Sequence, residues 1–281
     1  MMKINIAKNS GFCFGVRRAI KIAVNTARSR RHIEMLGDIV HNENVIKMMQ
    51  KAGIKRVKRL SRGKGKTLLI QAHGIPASVY KKAKMLGYNI IDATCPMVKE
   101  IHSIVKAMEG KEYKIVVIGD KKHDEVTGIN GQLKNKAVII DEKKDLLQLK
   151  KQDIPKTAIV VQSTQDADKA SALARELRLF LPKVKFFNTI CKPTRQKQEE
   201  IKTMSRENDV MIIIGSKYSA NTQRLYQISK LLNKRTYQVQ SDKEVRKGWI
   251  AGVKSAGISS GASTPDYVTR KVVLTIKKFR P

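Results

Sequence analysis

The sequence predicts an α/β protein made of three small, pseudo-threefold-related units with mostly parallel sheets. Three observations carry the prediction. Three widely spaced cysteines, Cys13, Cys95 and Cys191, each open a segment of the same layout. Twenty-four residues beyond each stands a glycine (Gly37, Gly119, Gly215), and twenty-eight beyond stands a polar residue (His41, His123, Ser219). Apolar, strand-like runs alternate with helical patterns along the chain, which implies parallel sheets covered by helices, with ligands at the carboxyl ends of the strands.

The elements follow in order. Lys3-Ile4-Asn5-Ile6 reads as a strand leading into Cys13. Behind Cys13, Val16, Ala19, Ile20, Ala23, Val24 and Ala27 fall at helical spacing. A strand at Met35-Leu36 ends at Gly37, and Leu68–Ile70 runs into the polar loop Gln71-Ala72-His73-Gly74 before a helix over 77–86. Asn89–Asp92 closes this unit and leads into Cys95. Pro96 suits a first helical position, and Val98, Ile101, Val105 and Met108 share one helical face. Ile115–Ile118, then Ala158–Val161 with its loop Gln162-Ser163-Thr164, a helix over 167–181, and Lys185–Asn188 complete the second unit. The third repeats the series after Cys191, with a more polar helix after Pro193, strands at Met211–Ile214 and Ala256–Ile258, a loop Ser259-Ser260-Gly261-Ala262-Ser263 and a helix over 266–279. It lacks a closing strand. The strand before Cys13 is the spare piece, so the expected domains are 13–94, 95–190, and 191–281 together with 1–12.

With 41% hydrophobic residues the chain can pack cores, and with only 5% aromatics it must do so with aliphatic side chains and methionine. No stretch approaches the roughly 20 apolar residues of a membrane span. The N-terminus is too short and polar for a signal peptide, so a soluble cytoplasmic protein is expected. The formal charge of +33 is spread along the chain rather than gathered in a tail. It admits a lysine-rich solvated surface, attraction of anionic substrates or nucleic-acid contact. Base-stacking aromatics are few and no RRM, KH or zinc-finger signature appears, so nucleic-acid binding is not expected.

An odd number of distant cysteines does not suit a disulfide framework. Taken alone, they read as inert core thiols. Their shared register places each at a strand-to-helix turn. Three thiolates can hold zinc, although structural zinc usually takes four ligands. They can also hold a 4Fe–4S cluster by three corners and leave one iron open, with helix N-termini directing N–H groups at sulfur. A second polar set, His41, His73, His123, Ser219, Asn221 and Ser263 with Asn42 nearby, is rich in donors and poor in carboxylates, which suits a phosphate or diphosphate. Glu125 is the exception, a carboxyl whose burial would suit it to act as a general acid, with Ser163 and Thr164 placed to orient a substrate hydroxyl. His32 and His102 fall outside the register and read as structural. Two other classes fit parts of the pattern: a metal-dependent phosphohydrolase using the His, Asp and Glu residues, and an RNA-associated protein.

The motifs Gly-Phe-Cys-Phe-Gly-Val (11–16), Gly-Asp-Ile-Val-His-Asn (37–42), Ala-His-Gly (72–74), Asp-Ala-Thr-Cys-Pro (92–96), His-Asp-Glu-Val-Thr-Gly (123–128), Asn-Thr-Ile-Cys (188–191), Gly-Ser-Lys (215–217) and Gly-Ala-Ser-Thr-Pro-Asp (261–266) stand in this order. Together they resemble the LytB/IspH family of 4-hydroxy-3-methylbut-2-enyl diphosphate reductases, essentially end to end. The resemblance implies a trefoil of three α/β domains around a 4Fe–4S cluster held by Cys13, Cys95 and Cys191. It implies reductive removal of an allylic hydroxyl to give isopentenyl and dimethylallyl diphosphates, with electrons from ferredoxin or flavodoxin. His41, His73, Ser219, Asn221 and Ser263 would bind the diphosphate with His123 beside them, and Glu125 would supply the proton with Ser163 assisting. Four residues depart from the family's usual pattern. Ser163 stands for Thr, Ala220 for a second Ser, Asp120 for a frequent His and Lys197 for a frequent Arg. Losing the hydroxyl at Ala220 removes a hydrogen bond to a charged group worth roughly 1.5–3 kcal/mol, so either substrate affinity is lower or a neighbour such as Thr222 compensates.

Overall fold

A computed structural model describes residues 2–150 and 154–279. Met1, Arg280 and Pro281 of the span expected for the third domain, and residues 151–153 of the second, lie outside the described residues. The chain divides into two compact units. One is Met1–Arg17, His41–Lys47 and Lys192–Pro281, and the other is Arg18–Val40 and Met48–Cys191.

The first unit carries one sheet. β1 (Lys3–Ile6) leads toward Cys13, where α1 (Phe14–Ser29) begins. The second unit carries two sheets. The first of these is built from β2 (Ile33–Leu36), β3 (Ile54–Val57), β4 (Thr67–Ile70) and β5 (Asn89–Asp92), with α2 (Glu43–Lys51) and α3 (Ala77–Met85) between them in sequence. After α4 (Pro96–Glu109), the next is built from β6 (Lys114–Ile118), β7 (Val138–Ile140), β8 (Thr157–Val161) and β9 (Val184–Phe187), with α5 (Asp124–Asn130), the short α6 (Leu147–Lys150) and α7 (Ala167–Arg178). The chain then returns to the first unit through α8 (Lys192–Glu207), β10 (Val210–Ile214), α9 (Ala220–Leu232), β11 (Thr236–Val239), β12 (Ser255–Ser260) and α10 (Asp266–Lys278).

All three sheets are parallel and share one topology, with orders β3-β2-β4-β5, β7-β6-β8-β9 and β11-β10-β12-β1. In each, the strand that leads into a cysteine occupies the edge. The N-terminal strand takes that place in the third sheet, where Ile4 pairs with Ala256 and Ile6 with Ile258. The repeat therefore closes on itself through the N-terminus, as the spacing requires.

Buried strands alternate their side chains between two helical layers. Val116, Ile118, Ile159 and Val161 pack with Leu173 and Leu177 of α7. Val117, Ala158 and Val160 pack with Ile101 and Val105 of α4 and with Val126 and Ile129 of α5. The sheet of the first unit does the same, setting Ile212, Ile214 and Ile258 against α10 and Met211 and Ile213 against α8 and α9. The helices expected after each cysteine and each later loop form where the periodicity puts them. The sequence reading has no counterpart for β3, β7 and β11 or for α2, α5, α6 and α9. These strands have three or four residues, and β3 carries exposed Lys55 and Arg56. No helix among the described residues is long and apolar enough to cross a membrane.

Candidate functional site

Parallel strands end together, so the loops after them gather the polar residues. In the first unit the loop after β12 is the organiser. The Ala262 carbonyl accepts the Cys13 amide at 3.1 Å, and the Ala262 amide donates to Asn221 Oδ1 at 2.8 Å. Ser263 Oγ donates to the His41 carbonyl at 3.3 Å and lies 3.4 Å from Ser219 Oγ. Ser219 is the N-cap of α9, its hydroxyl accepting the Thr222 amide at 3.4 Å. Cys13, His41, Ser219, Asn221 and Ser263 thus form one bonded group, although their sequence positions span most of the chain. Asn221 is buried, and its Nδ2 has no hydrogen-bond partner among the described residues. A buried amide in that state is expected to meet a ligand or a water.

The second unit holds a longer run. The Cys95 amide donates to the Ala72 carbonyl at 2.9 Å. Next to Ala72, the His73 ring meets His123 edge to face, with centroids 5.4 Å apart. His123 is the N-cap of α5, and its Nδ1 accepts the Glu125 amide at 3.1 Å. Glu125 is 1% exposed, and its carboxylate accepts the Ser163 amide at 2.6 Å and the Ser163 hydroxyl at 2.7 Å. The Ser163 carbonyl in turn accepts the Cys191 amide at 3.0 Å. Burial raises the Glu125 pKa. The two Ser163 bonds oppose the rise, and the charge of Asp120 adds to it. Asp120 and Thr164 are joined by Gln162, whose Oε1 accepts the Asp120 amide at 2.8 Å and whose Nε2 donates to Thr164 Oγ1 at 3.0 Å.

One bond therefore occurs three times. Each cysteine amide is held by the carbonyl of Ala72, Ser163 or Ala262, and the next residue is a polar candidate: His73, Thr164 or Ser263. All three thiols are unbridged and half-buried. Cys13 Sγ accepts the Val16 amide at 3.5 Å from the first turn of α1. Soft thiolates at helix N-termini suit an iron–sulfur cluster, so the residues present fit that cofactor.

A model of the LytB protein family matches residues 4–277. The chain belongs to the LytB family. The 4-hydroxy-3-methylbut-2-enyl diphosphate reductase of Aquifex aeolicus is 38% identical over 99% of this chain and 97% of its own length. That of Clostridioides difficile is 36% identical over 99% and 100%. Among solved structures, (E)-4-hydroxy-3-methyl-but-2-enyl diphosphate reductase, described as the terminal enzyme of the non-mevalonate pathway, aligns with TM-score 0.72 and 38% identity over 99% of this chain and 100% of that one. The reductase from Plasmodium falciparum aligns with TM-score 0.90 and 26% identity over 97% and 87%.

Against the LytB pattern, Ser163 keeps both bonds to Glu125 without the methyl of a threonine. Ala220 opens α9 beside its cap. Thr222 is fully buried, and its Oγ1, which has no partner among the described residues, lies where a Cβ at Gly215 or Gly261 would stand. His32 is exposed. His102 packs under Gly74, and burial pushes its pKa down to about 4. Sequence reasoning missed Gln162, Ser260 and Lys197 as parts of these groups. Gln162 was legible, since it follows a strand at the same place as Gln71. The contacts of Lys197 were not, because its partners lie at residues 9, 11 and 260.

Proposed function

We propose that this LytB family member reduces 4-hydroxy-3-methylbut-2-enyl diphosphate. Two electrons and two protons remove the allylic hydroxyl as water and give isopentenyl or dimethylallyl diphosphate. In this reading Cys13, Cys95 and Cys191 hold a 4Fe–4S cluster, one in each of the domains 13–94, 95–190 and 191–281 with 1–12. When bound, such a cluster delivers single electrons from ferredoxin or flavodoxin and offers an open iron as a Lewis acid. The enzyme works in the cytoplasm.

The chain's own residues do the rest. His41, His73, His123, Ser219, Asn221 and Ser263 donate to the diphosphate, which the N-terminus of α9 also favours. The orphan Nδ2 of Asn221 supports this role. Glu125, whose pKa burial raises, supplies the proton to the reacting end of the substrate. Ser163 fixes the carboxyl through two bonds, and Thr164 orients the substrate hydroxyl beside it. The observation that carries the reading is the unbroken run from Glu125 through Ser163 to the Cys191 amide. It ties a buried acid to a thiol suited to iron.

Anaerobic purification followed by iron and sulfide analysis tests the proposal. A brown protein that bleaches in air and converts 4-hydroxy-3-methylbut-2-enyl diphosphate with a chemical reductant supports it. A colourless protein whose phosphate-ester hydrolysis is lost to a chelator overturns it in favour of a phosphohydrolase.

A further inference from the structure

The segment between β1 and Cys13 is gripped by two side chains one turn apart on α8. Glu200 holds its amides, accepting Lys8 N at 2.5 Å, Asn9 N at 2.9 Å and Asn9 Nδ2 at 3.0 Å. Lys197 holds its carbonyls. The ammonium donates to the carbonyls of Asn9, Gly11 and, at 3.1 Å, Ser260, the residue that ends β12. The Ser260 hydroxyl accepts the Gly11 amide at 2.6 Å. Gly11 has φ +85°, and a Cβ there would overlap Asp266, so the backbone path into Cys13 is fixed from several sides.

Three carbonyls use all three ammonium donors, and Lys197 is only 3% exposed. Burying a cation costs several kcal/mol unless something anionic answers it. A neutral side chain could have satisfied some of these carbonyls, so the charge itself needs a reason. The acidic groups within its electrostatic reach are Cys13, Glu200 and Asp266. Glu200 is engaged with the Lys8 and Asn9 amides, and Asp266 pairs with Arg17 at 3.6 Å. Glu200 keeps its charge while bonded to neutral amides, and Cys13 would add a further negative charge when it holds a cluster. Burial pushes the Lys197 pKa down to about 8, which leaves the side chain mainly protonated at neutral pH.

We propose that Lys197 is a positioning residue for Cys13: it fixes the Asn9–Gly11 segment that leads into the thiol, and its charge favours the reduced state of the cluster that Cys13 helps to hold. The second half rests on the reading of Cys13 as a cluster ligand. The first half does not.

The test compares the full chain, purified anaerobically, with Lys197→Met, Lys197→Gln and Lys197→Arg. Amide hydrogen exchange across residues 8–13 should rise roughly tenfold in Lys197→Met, the factor given by opening made easier by about 1.4 kcal/mol. Exchange around Cys95 and Cys191 should not change. The midpoint potential of the reconstituted cluster, followed by electron paramagnetic resonance, should fall in the Met and Gln variants and stay near the parent's in Lys197→Arg. Parental exchange and parental potential in the neutral variants overturn the proposal. A change in exchange with no change in potential removes the electrostatic half. If neither neutral variant folds, Lys197→Arg decides, since a potential shifted as far as the loss of the charge demands refutes it. A parent that takes up no iron refutes the cluster reading, while the exchange measurement still judges the positioning role.

Discussion

Glu125 occupies a place that costs the fold. Its carboxyl is buried, and its pKa is raised above the unfolded value, so the folded chain binds this proton more tightly than the unfolded chain does. The contribution to stability is therefore present below the ordinary glutamate range and is lost as pH rises through the folded pKa. Glu125→Gln removes that loss. The variant should melt at or above the parent at pH 8, with the advantage shrinking toward pH 5, while iron content stays parental. Turnover should fall roughly 100- to 10,000-fold, the usual worth of a general acid. Near-parental turnover would remove Glu125 as the proton source, and a lower melting temperature at every pH would show that its bonds to Ser163 outweigh its burial. The residue was legible as the one carboxyl beside the donor-rich set and through the His-Asp-Glu-Val-Thr-Gly motif at 123–128. Its tie to Ser163 joins positions 38 apart, which no local pattern reveals.

Elements divide into those whose periodicity is long enough to read and those that only the repeat could have supplied. α4 declares itself through Val98, Ile101, Val105 and Met108, all buried as the spacing predicts. α5 has seven residues with a glycine among them, and β7 has three. Neither exceeds the noise of a helical or alternating pattern. The places of α5 and α9 are nonetheless marked by the residues that cap them, since His123 and Ser219 serve both as N-caps and as candidate ligands. The loop after β12 depends on one small residue. Gly261 donates to the Ile214 carbonyl at 2.9 Å, and a Cβ at that position would overlap Thr222 Oγ1. Gly261→Ala should lower the stability of the chain by about 1–3 kcal/mol in urea unfolding, the usual cost of overpacking. Adding Thr222→Ala should restore part of it. A single variant as stable as the parent would show that the loop shifts freely, and the Ala262 bond to Cys13 would then lose its claim to fix the thiol.

At the scale of the whole molecule, the charge of +33 acts in two directions. Like charges repel within the folded chain and reduce its stability. Few carboxylates answer them: 24 acidic residues face 57 Lys and Arg, and many of the ion pairs have an exposed partner, so each contributes little. The same surplus raises the local concentration of a diphosphate around the protein. Salt separates the two effects. Raising ionic strength from about 0.01 M to about 0.15 M shortens the screening length from about 30 Å to about 8 Å. Repulsion between distant lysines is then largely removed, whereas the bonds within each polar group, near 3 Å, are barely touched. The melting temperature should therefore rise with sodium chloride while KM for the diphosphate substrate rises too and kcat stays level. A KM that ignores salt would show that the surplus charge does not serve substrate capture, and that the grip comes wholly from the short-range donors around Asn221 and Ser263. A melting temperature that falls with salt would mean that attraction, not repulsion, dominates the surface, and that the sparse acidic residues are placed to better effect than their number suggests.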